Sequence, residues 1–505
     1  MSRISLKRTA GGIPVYLDGT KGVNCGYLVG VRTGSRDEHE AVFGISHLLE
    51  HTVFRKTKTM GSFEMAKLME GAGGALNAFT AKEMTAYFGV TLRETSEVAM
   101  RCVGDIVSNP LINKRDTELE RAIVLQELSM VKSEPAEYIH TLFEENLWKG
   151  DILGMDEGGT EESVEALTYR DLRRYYRERY GRPNLSVYAT GAPDPDAVVK
   201  WAEGALDPMQ AEVVNKRRAP AKTCAGLSVK NNRSGHCQIA FGFPVAGVSP
   251  KERAANAVLA AALGAGTSSR LFQGVREKNA LVYAVNMVHE SYSDAGYIAA
   301  FMSCTGGNVV RSLEETAKTI RRFRREGLAE GELGRTKNII KGGIARASER
   351  TDGRLYAMCM DDLTHGEVLT AEQKMRGIDA VTEDDVMRTA DRLFSPDRLS
   401  VTILGKAGAD ARAYDPSSAD LRSRSSRNRP MTCITTSSAD PSDAATSGVR
   451  HSDTVATSPA STATNLTERG MESGSIRLPI LKAVGTLMSC AGTSLATASS
   501  KSATS

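Results

Sequence analysis

The chain lacks several features that would narrow its class at once. No C-x-x-C pair occurs among its eight cysteines, which are scattered at 25, 102, 224, 237, 304, 359, 433 and 490. That pattern excludes a zinc ribbon and argues for reduced thiols rather than a disulfide framework. No run of eighteen or more apolar residues occurs, so no membrane span is expected. Neither sign of charge is in excess: 64 Lys and Arg stand against 61 Asp and Glu, a formal net charge of +3. A nucleic-acid partner and a membrane-surface role both lose their electrostatic basis. The opening MSRISLKRTAGGIPVYLDGT holds Arg3, Lys7 and Arg8 but no apolar core of a secretory signal. A transit peptide would use those bases, yet GIPVYLDG already reads as the first strand and turn.

What is present is the composition of a soluble globular protein, 41% hydrophobic and 25% charged. A length of 505 residues predicts roughly two to four domains. Two segments align without a gap at an offset of 214, Val164–Gly191 and Ile378–Gly405, with eight of 28 positions identical. Each reads as a Thr-capped helix, a turn and an apolar strand, so one supersecondary unit closes two successive domains. The expected division is a first domain over 1–205, a polar connector over 206–226 and a homologous second domain over 227–410. Residues 411–505 form a tail. Ser and Thr make up 31 of the last 85 residues, a composition that cannot bury enough apolar surface to order itself.

Within the first domain, NCGYLVGVRTGSRDE reads as strand then turn, and AVFGISHLLEHTVF as a helix. GGALNAFTAKEMTAYFGVTL gives two strands joined by a short turn. Two amphipathic helices follow, TSEVAMRCVGDIVSN and DTELERAIVLQELSMVKS. Strands and helices alternate irregularly, which predicts an α+β fold: two homologous domains, each a largely antiparallel sheet flanked by helices.

Only eight histidines occur, and HLLEH places two of them four apart with a glutamate beside the second. On a helix, i, i+3 and i+4 share one face, so His47, Glu50 and His51 project together. H-x-x-E-H is an inverted zinc-peptidase signature. The plain alternative is a pair of helix-surface or core histidines. Two histidines do not hold zinc, and a third protein ligand is needed. The helix 116–132 offers one, with Thr117 as its cap and Glu120 reaching back as a capping box. Glu127 lies two turns on, flanked by Leu119, Ile123 and Leu128, which read as core-directed. A carboxylate there needs a partner. From the residues alone, Glu127 is one candidate among several.

GSRDE…GISHLLEHTVF, LNAFTAKEMTAYF and ERAIVLQELSM together resemble the pitrilysin-type (inverzincin) zinc metallopeptidases. The similarity covers nearly all of residues 5–405, and within the family it is greatest to processing-peptidase β subunits of mitochondria and their short bacterial relatives. The resemblance implies His47, His51 and Glu127 as ligands of one Zn2+ per chain. It implies Glu50 as the base that takes a proton from the attacking water, with Glu120 supporting the site. It further implies that Asn77 and Ala78 pair with the substrate backbone, although Asn77 read plainly is a strand-end residue. GAGTSSRLFQGVREKNALVYAV matches an Arg-x6-Tyr element, giving Arg276 and Tyr283 the role of stabilising the tetrahedral oxyanion or holding the substrate. Taken alone, these are a solvated helix residue and a packed strand aromatic. Glu137 matches the first of two acidic residues that hold a substrate arginine in presequence-reading members, but Thr141 stands where the second would be.

The expectation is therefore a zinc metalloendopeptidase of presequence-processing type, acting on extended, unfolded, basic targeting peptides. Large members of the family join two such halves in one chain. This chain has one, so a second family subunit is expected, as a homodimer or an α/β-type heterodimer. The matrix of a mitochondrion or related organelle is the favoured location, with the cytoplasm as alternative. Two other readings stand beside it: a bacterial-type peptidase that clears or matures peptides, and a scaffold subunit without activity.

Overall fold

The computed structural model describes residues 4–214, 218–232, 235–247 and 249–421. Residues 422–505, most of the expected Ser/Thr-rich tail, lie outside the described residues.

The first domain opens with β1 (Ile4–Arg8), β2 (Pro14–Asp18) and β3 (Asn24–Val31). GIPVYLDG is thus the second strand, and Lys7 and Arg8 already sit on a strand paired antiparallel with β2. Then come helices α1 (Ile45–Val53) and α2 (Ser62–Gly71), and the hairpin β4 (Ala75–Thr80) and β5 (Thr85–Leu92). Helices α3 (Ser96–Ser108), α4 (Lys114–Ser133) and α5 (Pro135–Leu147) follow, and β6 (Leu185–Thr190) completes the sheet. The strand order is β1-β2-β6-β3-β5-β4, with one parallel pair, β2 with β6.

The second domain repeats this plan. Its strands are β7 (Gly226–Lys230), β8 (His236–Ala246), β9 (Ala284–Ser291), β10 (Ala295–Thr305) and β11 (Ser400–Leu404), in the order β7-β11-β8-β10-β9. The parallel pair recurs as β7 with β11. The repeated unit appears as Tyr169–Arg179 before β6 and as Glu383–Leu393 before β11. Thr168 and Thr382 cap these helices, and Asp171 and Asp385 close the capping boxes.

Each sheet has one face on its own helices and the other on a helix of the opposite half. Tyr138, Ile139, Leu142, Phe143 and Leu147 of α5 pack on Ala240, Ala299, Phe301 and Leu404 of the second sheet. In return, Leu355, Met358 and Cys359 of the helix Thr351–Met360 pack on Leu28, Phe79, Ala86 and Tyr188 of the first sheet. Polar contacts fix the exchange. Tyr16 and Tyr188 hydroxyls donate to the buried Asp362 at 3.0 and 2.6 Å. Arg36 donates to Glu83 and Asp294, both at 2.6 Å, and Ser293 donates to Glu83 from its N–H at 2.9 Å and its hydroxyl at 2.7 Å. The second core also reaches past the expected end at residue 410. Ala411, Ala419 and Leu421 are buried in it, because the chain folds back over the helix Val309–Glu326, where Arg324 donates to Leu421 O.

Candidate metal centre

Helix α1 is buried along all nine residues, which a helix carrying two histidines and a glutamate tolerates only if those groups find partners. It starts at Gly44, whose φ of +84° suits glycine, and a Cβ there would meet Gly158 O at 2.4 Å. Its first turn has no local side-chain cap. Instead Glu38 accepts N–H bonds from Gly44 and Ser46, both at 2.8 Å. This carboxyl thus sits against the positive end of the helix. Burial pushes the Glu38 pKa up to about 8, against the pull of those N–H donors.

His47, Glu50 and His51 fall on one face as the spacing predicts. Helix α4 crosses α1 and brings Glu127 to them. Oε2 of Glu127 lies 3.7 Å from Nε2 of His47 and 3.4 Å from Nε2 of His51. One ligand atom from each of the three residues can be chosen so that all lie within 4.8 Å of one another. With bonds of about 2.0 Å in a tetrahedron, ligand atoms sit about 3.3 Å apart. His51 Nε2 and Glu127 Oε2 are buried without a hydrogen-bond partner. Such orphans are costly in a protein interior, and a shared cation removes the cost. The residues present fit zinc.

Glu120 is not the capping-box residue its spacing suggested. The helix begins earlier, at Lys114, and Asn113 caps it by accepting from Asp116 N at 3.1 Å. Thr117 merely donates back to Asn113 O at 2.8 Å. Glu120 is thereby left to bond His51 Nδ1 at 2.9 Å through one oxygen and Arg55 Nε through the other. A carboxylate on the far ring nitrogen fixes tautomer and ring orientation, leaving Nε2 aimed at the cluster. Burial lowers the His51 pKa, but the bond to Glu120 and the neighbouring Glu127 and Glu50 carboxylates outweigh it and raise it to about 9. Burial, with His51 beside it, pushes His47 below its ordinary value. Burial alone would raise Glu120, yet His51 and Arg55 hold it low. Leu119 also departs from expectation, being 45% exposed rather than core-directed, whereas Leu128 is buried.

Comparison with known proteins decides the family. Residues 16–160 match the model described as insulinase (peptidase family M16), and residues 166–340 match the peptidase M16 inactive domain. An uncharacterized zinc protease of Mycobacterium tuberculosis is 31% identical over 402 residues, 78% of this chain and 90% of the relative. The corresponding figures for one from Streptomyces coelicolor are 30% over 380 residues, 74% and 83%. The chain belongs to the M16 peptidase family. It is a zinc metallopeptidase with Zn2+ as its cofactor, as the resemblance implied. The fold agrees: a protease from Helicobacter pylori superposes with a TM-score of 0.73 at 17% identity, covering 80% of this chain and all of that one. A peptidase M16 inactive domain from Pseudomonas fluorescens gives 0.71 at 18%, covering 81% and 99%.

The other candidates of this M16 chain divide by location. Asn77 and Ala78 lie on β4, which is an edge of the first sheet. Ala81 N–H donates to Met84 O at 2.8 Å, so Thr80, Ala78 and Leu76 are the residues whose backbone groups turn away from β5 to the free edge. The Ala78 N–H there is covered by its neighbour, donating to Asn77 Oδ1 at 2.9 Å. Glu137 sits half-buried in the first turn of α5. Thr141 is buried and donates to Asp156 Oδ2 at 3.0 Å. Arg276 and Tyr283 are brought to each other but not to the cluster. Arg276 lies 4.5 Å over the Phe272 ring and 6.0 Å from that of Tyr283, all in the second domain. Tyr283 is not packed on its strand; it is 80% exposed.

Two residues that the sequence reading passed over touch the site. Glu38 caps α1, and Thr80 Oγ1 donates to Glu50 Oε2 at 3.0 Å. An acidic residue ahead of a helix whose start carries no Ser, Thr, Asp or Asn cap was the available signal for Glu38. Thr80 gave none, because its partner is thirty residues away.

Proposed function

We propose that His47, His51 and Glu127 hold the zinc and that Glu50 is the general base of a peptide-bond hydrolase acting on extended peptides. The observation that carries this reading is the gathering of two buried histidines and the half-buried Glu127, with ligand atoms within 4.8 Å of one another and a further carboxylate on the same helix face. Zinc, when bound, makes water acidic near neutrality and polarises the scissile carbonyl. Glu50 takes the proton of the attacking water and passes it to the leaving amine. The free edge of β4 receives the substrate as an added strand, and an incoming carbonyl takes over the Ala78 N–H from Asn77. Folded proteins cannot present such a strand, so unfolded segments are the substrates.

Basic peptides are favoured by Glu137, with Asp156 delivered beside Thr141 where a second acidic residue was missing. Processing of targeting presequences in an organelle is the narrower form of this reading and rests on that acidic pair. The second reading is a bacterial-type peptidase that matures or clears peptides in the cytoplasm. It is favoured by the bacterial origin of the relatives above. Arg276, half-buried against Phe272, and the exposed Tyr283 serve the site of a second family subunit. The test is cleavage of a presequence-like peptide against its Arg-to-Ala variants. A loss of at least tenfold supports the acidic pair, and equal cleavage supports the second reading.

A further inference from the structure

Thr80 ends β4 where the substrate edge and the base meet. Its backbone belongs to the set that faces the free edge, together with Ala78 and Leu76. Side chains two apart on a strand share a face. Here that face looks onto α1: Ala78 is buried in the core beneath the sheet, Leu76 packs against the same core, and the Thr80 hydroxyl donates to Glu50 Oε2 at 3.0 Å. Glu50 is 1% exposed, so bulk water does not orient its carboxylate.

We infer that Thr80 is a positioning residue for Glu50. Its hydroxyl holds the carboxylate in the rotamer from which it meets the attacking water. Because the same residue turns its backbone to the strand-addition edge, the base is registered against the peptide bond lying there. The bond is of the charge-assisted kind, stronger and more directional than a neutral one. A misplacement of about 1 Å in a reacting group can cost about 100-fold in rate. The inference rests on the reading of Glu50 as the base.

The experiment uses the full chain loaded with zinc and a quenched fluorescent peptide. Thr80→Val keeps the β-branched shape and removes the hydroxyl, whereas Thr80→Ser keeps the hydroxyl and removes the methyl. Thr80→Val is expected to lower kcat by about 10- to 100-fold with KM, zinc content and melting temperature unchanged, and Thr80→Ser to stay within about threefold of wild type. Peptide affinity measured in a Glu50→Gln background should not change when Thr80→Val is added. Wild-type kcat in Thr80→Val overturns the inference, and so does an equal loss in Thr80→Ser, which would assign the effect to packing. If Thr80→Val fails to fold, Thr80→Ala against Thr80→Ser isolates the same hydroxyl, and equal kcat in that pair overturns the inference. Wild-type turnover in Glu50→Gln would instead bring down the assignment of the base. With that variant inactive and Thr80→Val unimpaired, only the role of Thr80 falls.

Discussion

The two domains share the order of five strands, to which the first adds β1 at one edge, yet one has a candidate metal cluster and the other has none among its described residues. At the offset of 214, Glu127 on α4 corresponds to Lys341 on the helix Glu332–Glu349, and Glu120 corresponds to Gly334. Lys341 pairs with Asp379 at 2.8 Å, a surface contact with no counterpart in the zinc cluster. After the third strand of the first domain comes α1 with its two histidines. After β8 comes Pro250–Gly264, whose buried positions are mainly Ala, Leu and Val. The scaffold therefore does not create the site. Side chains on two crossing helices create it, and the same crossing filled with alanine and leucine is a packed core.

The comparison breaks most sharply at the base and the ligands. Glu50→Gln should keep zinc and lose at least about 1000-fold in turnover, while Ala at His47, His51 or Glu127 should lose the metal itself. Lys341→Ala, the matching change in the second domain, should leave both zinc content and kcat unaltered. Metal analysis and peptide cleavage on the same preparations decide it, and turnover at the wild-type rate in Glu50→Gln would remove the assigned base.

The second domain is expected to act through Arg276 and Tyr283 on the cluster of another copy. Tyr283→Phe protein mixed with Glu50→Gln protein, under conditions of subunit exchange, forms mixed dimers with one complete site each. With equal amounts and random exchange, about a quarter of all sites should recover, as two-fold symmetry requires. No recovery despite proven exchange would place the pair within its own chain. A monomer, or a partner of different sequence, would exclude the homodimer.

Glu120 sharpens the contrast at a smaller scale, since it would act on the proposed metal only through its bond to His51. Glu120→Gln should weaken zinc by about 10- to 100-fold and leave kcat at saturating zinc nearly intact. A chelator competition curve measures the first and a zinc titration of activity the second. Unchanged affinity would reduce Glu120 to a partner of Arg55.

The parts of the molecule legible in the sequence are those built from local spacing. HLLEH is legible because i, i+3 and i+4 share a helix face whatever the fold, and the Thr-capped helix before β6 and β11 because a cap and a box lie within four residues. Glu120 is misleading for the same reason: Thr117 and Glu120 have capping spacing, but the helix starts at Lys114 and its cap is Asn113. Glu127 emerges only from a resemblance, since nothing local ties it to α1. Thr80 and Glu38 stay hidden because a hydrogen bond between distant segments leaves no periodic trace. The exchange of α5 and Thr351–Met360 between sheets is likewise invisible: an apolar face announces burial, not the surface that buries it. The burial of Ala411, Ala419 and Leu421 in the second core stays hidden too, because three apolar residues in an otherwise polar stretch form no pattern.

The smallest expected effect separates the domains by proton linkage. In metal-free protein the ion pair with Glu120 and Glu127 raises His51 from 6.5 to about 9. A folded value above the ordinary one means that the stability from this pair is fully present below about pH 6.5 and is lost as pH rises through about 9. Zinc needs the neutral imidazole, so metal binding near neutrality must release the His51 proton and should tighten as pH rises. Melting of metal-free protein should thus fall by a few degrees between pH 6.5 and 9.5, and zinc-loaded protein should not show that fall. His289, the buried histidine of the second domain, is driven the other way, to about 3, by burial and by Arg253 and His365. It stays neutral in the folded protein throughout the range, so it contributes only a small slope of opposite sign near pH 6.5 that vanishes about one pH unit higher. Removing the partner with Glu120→Gln should flatten the slope of the metal-free protein. An undiminished slope in that variant would show that the bond from His51 to Glu120 is not its source.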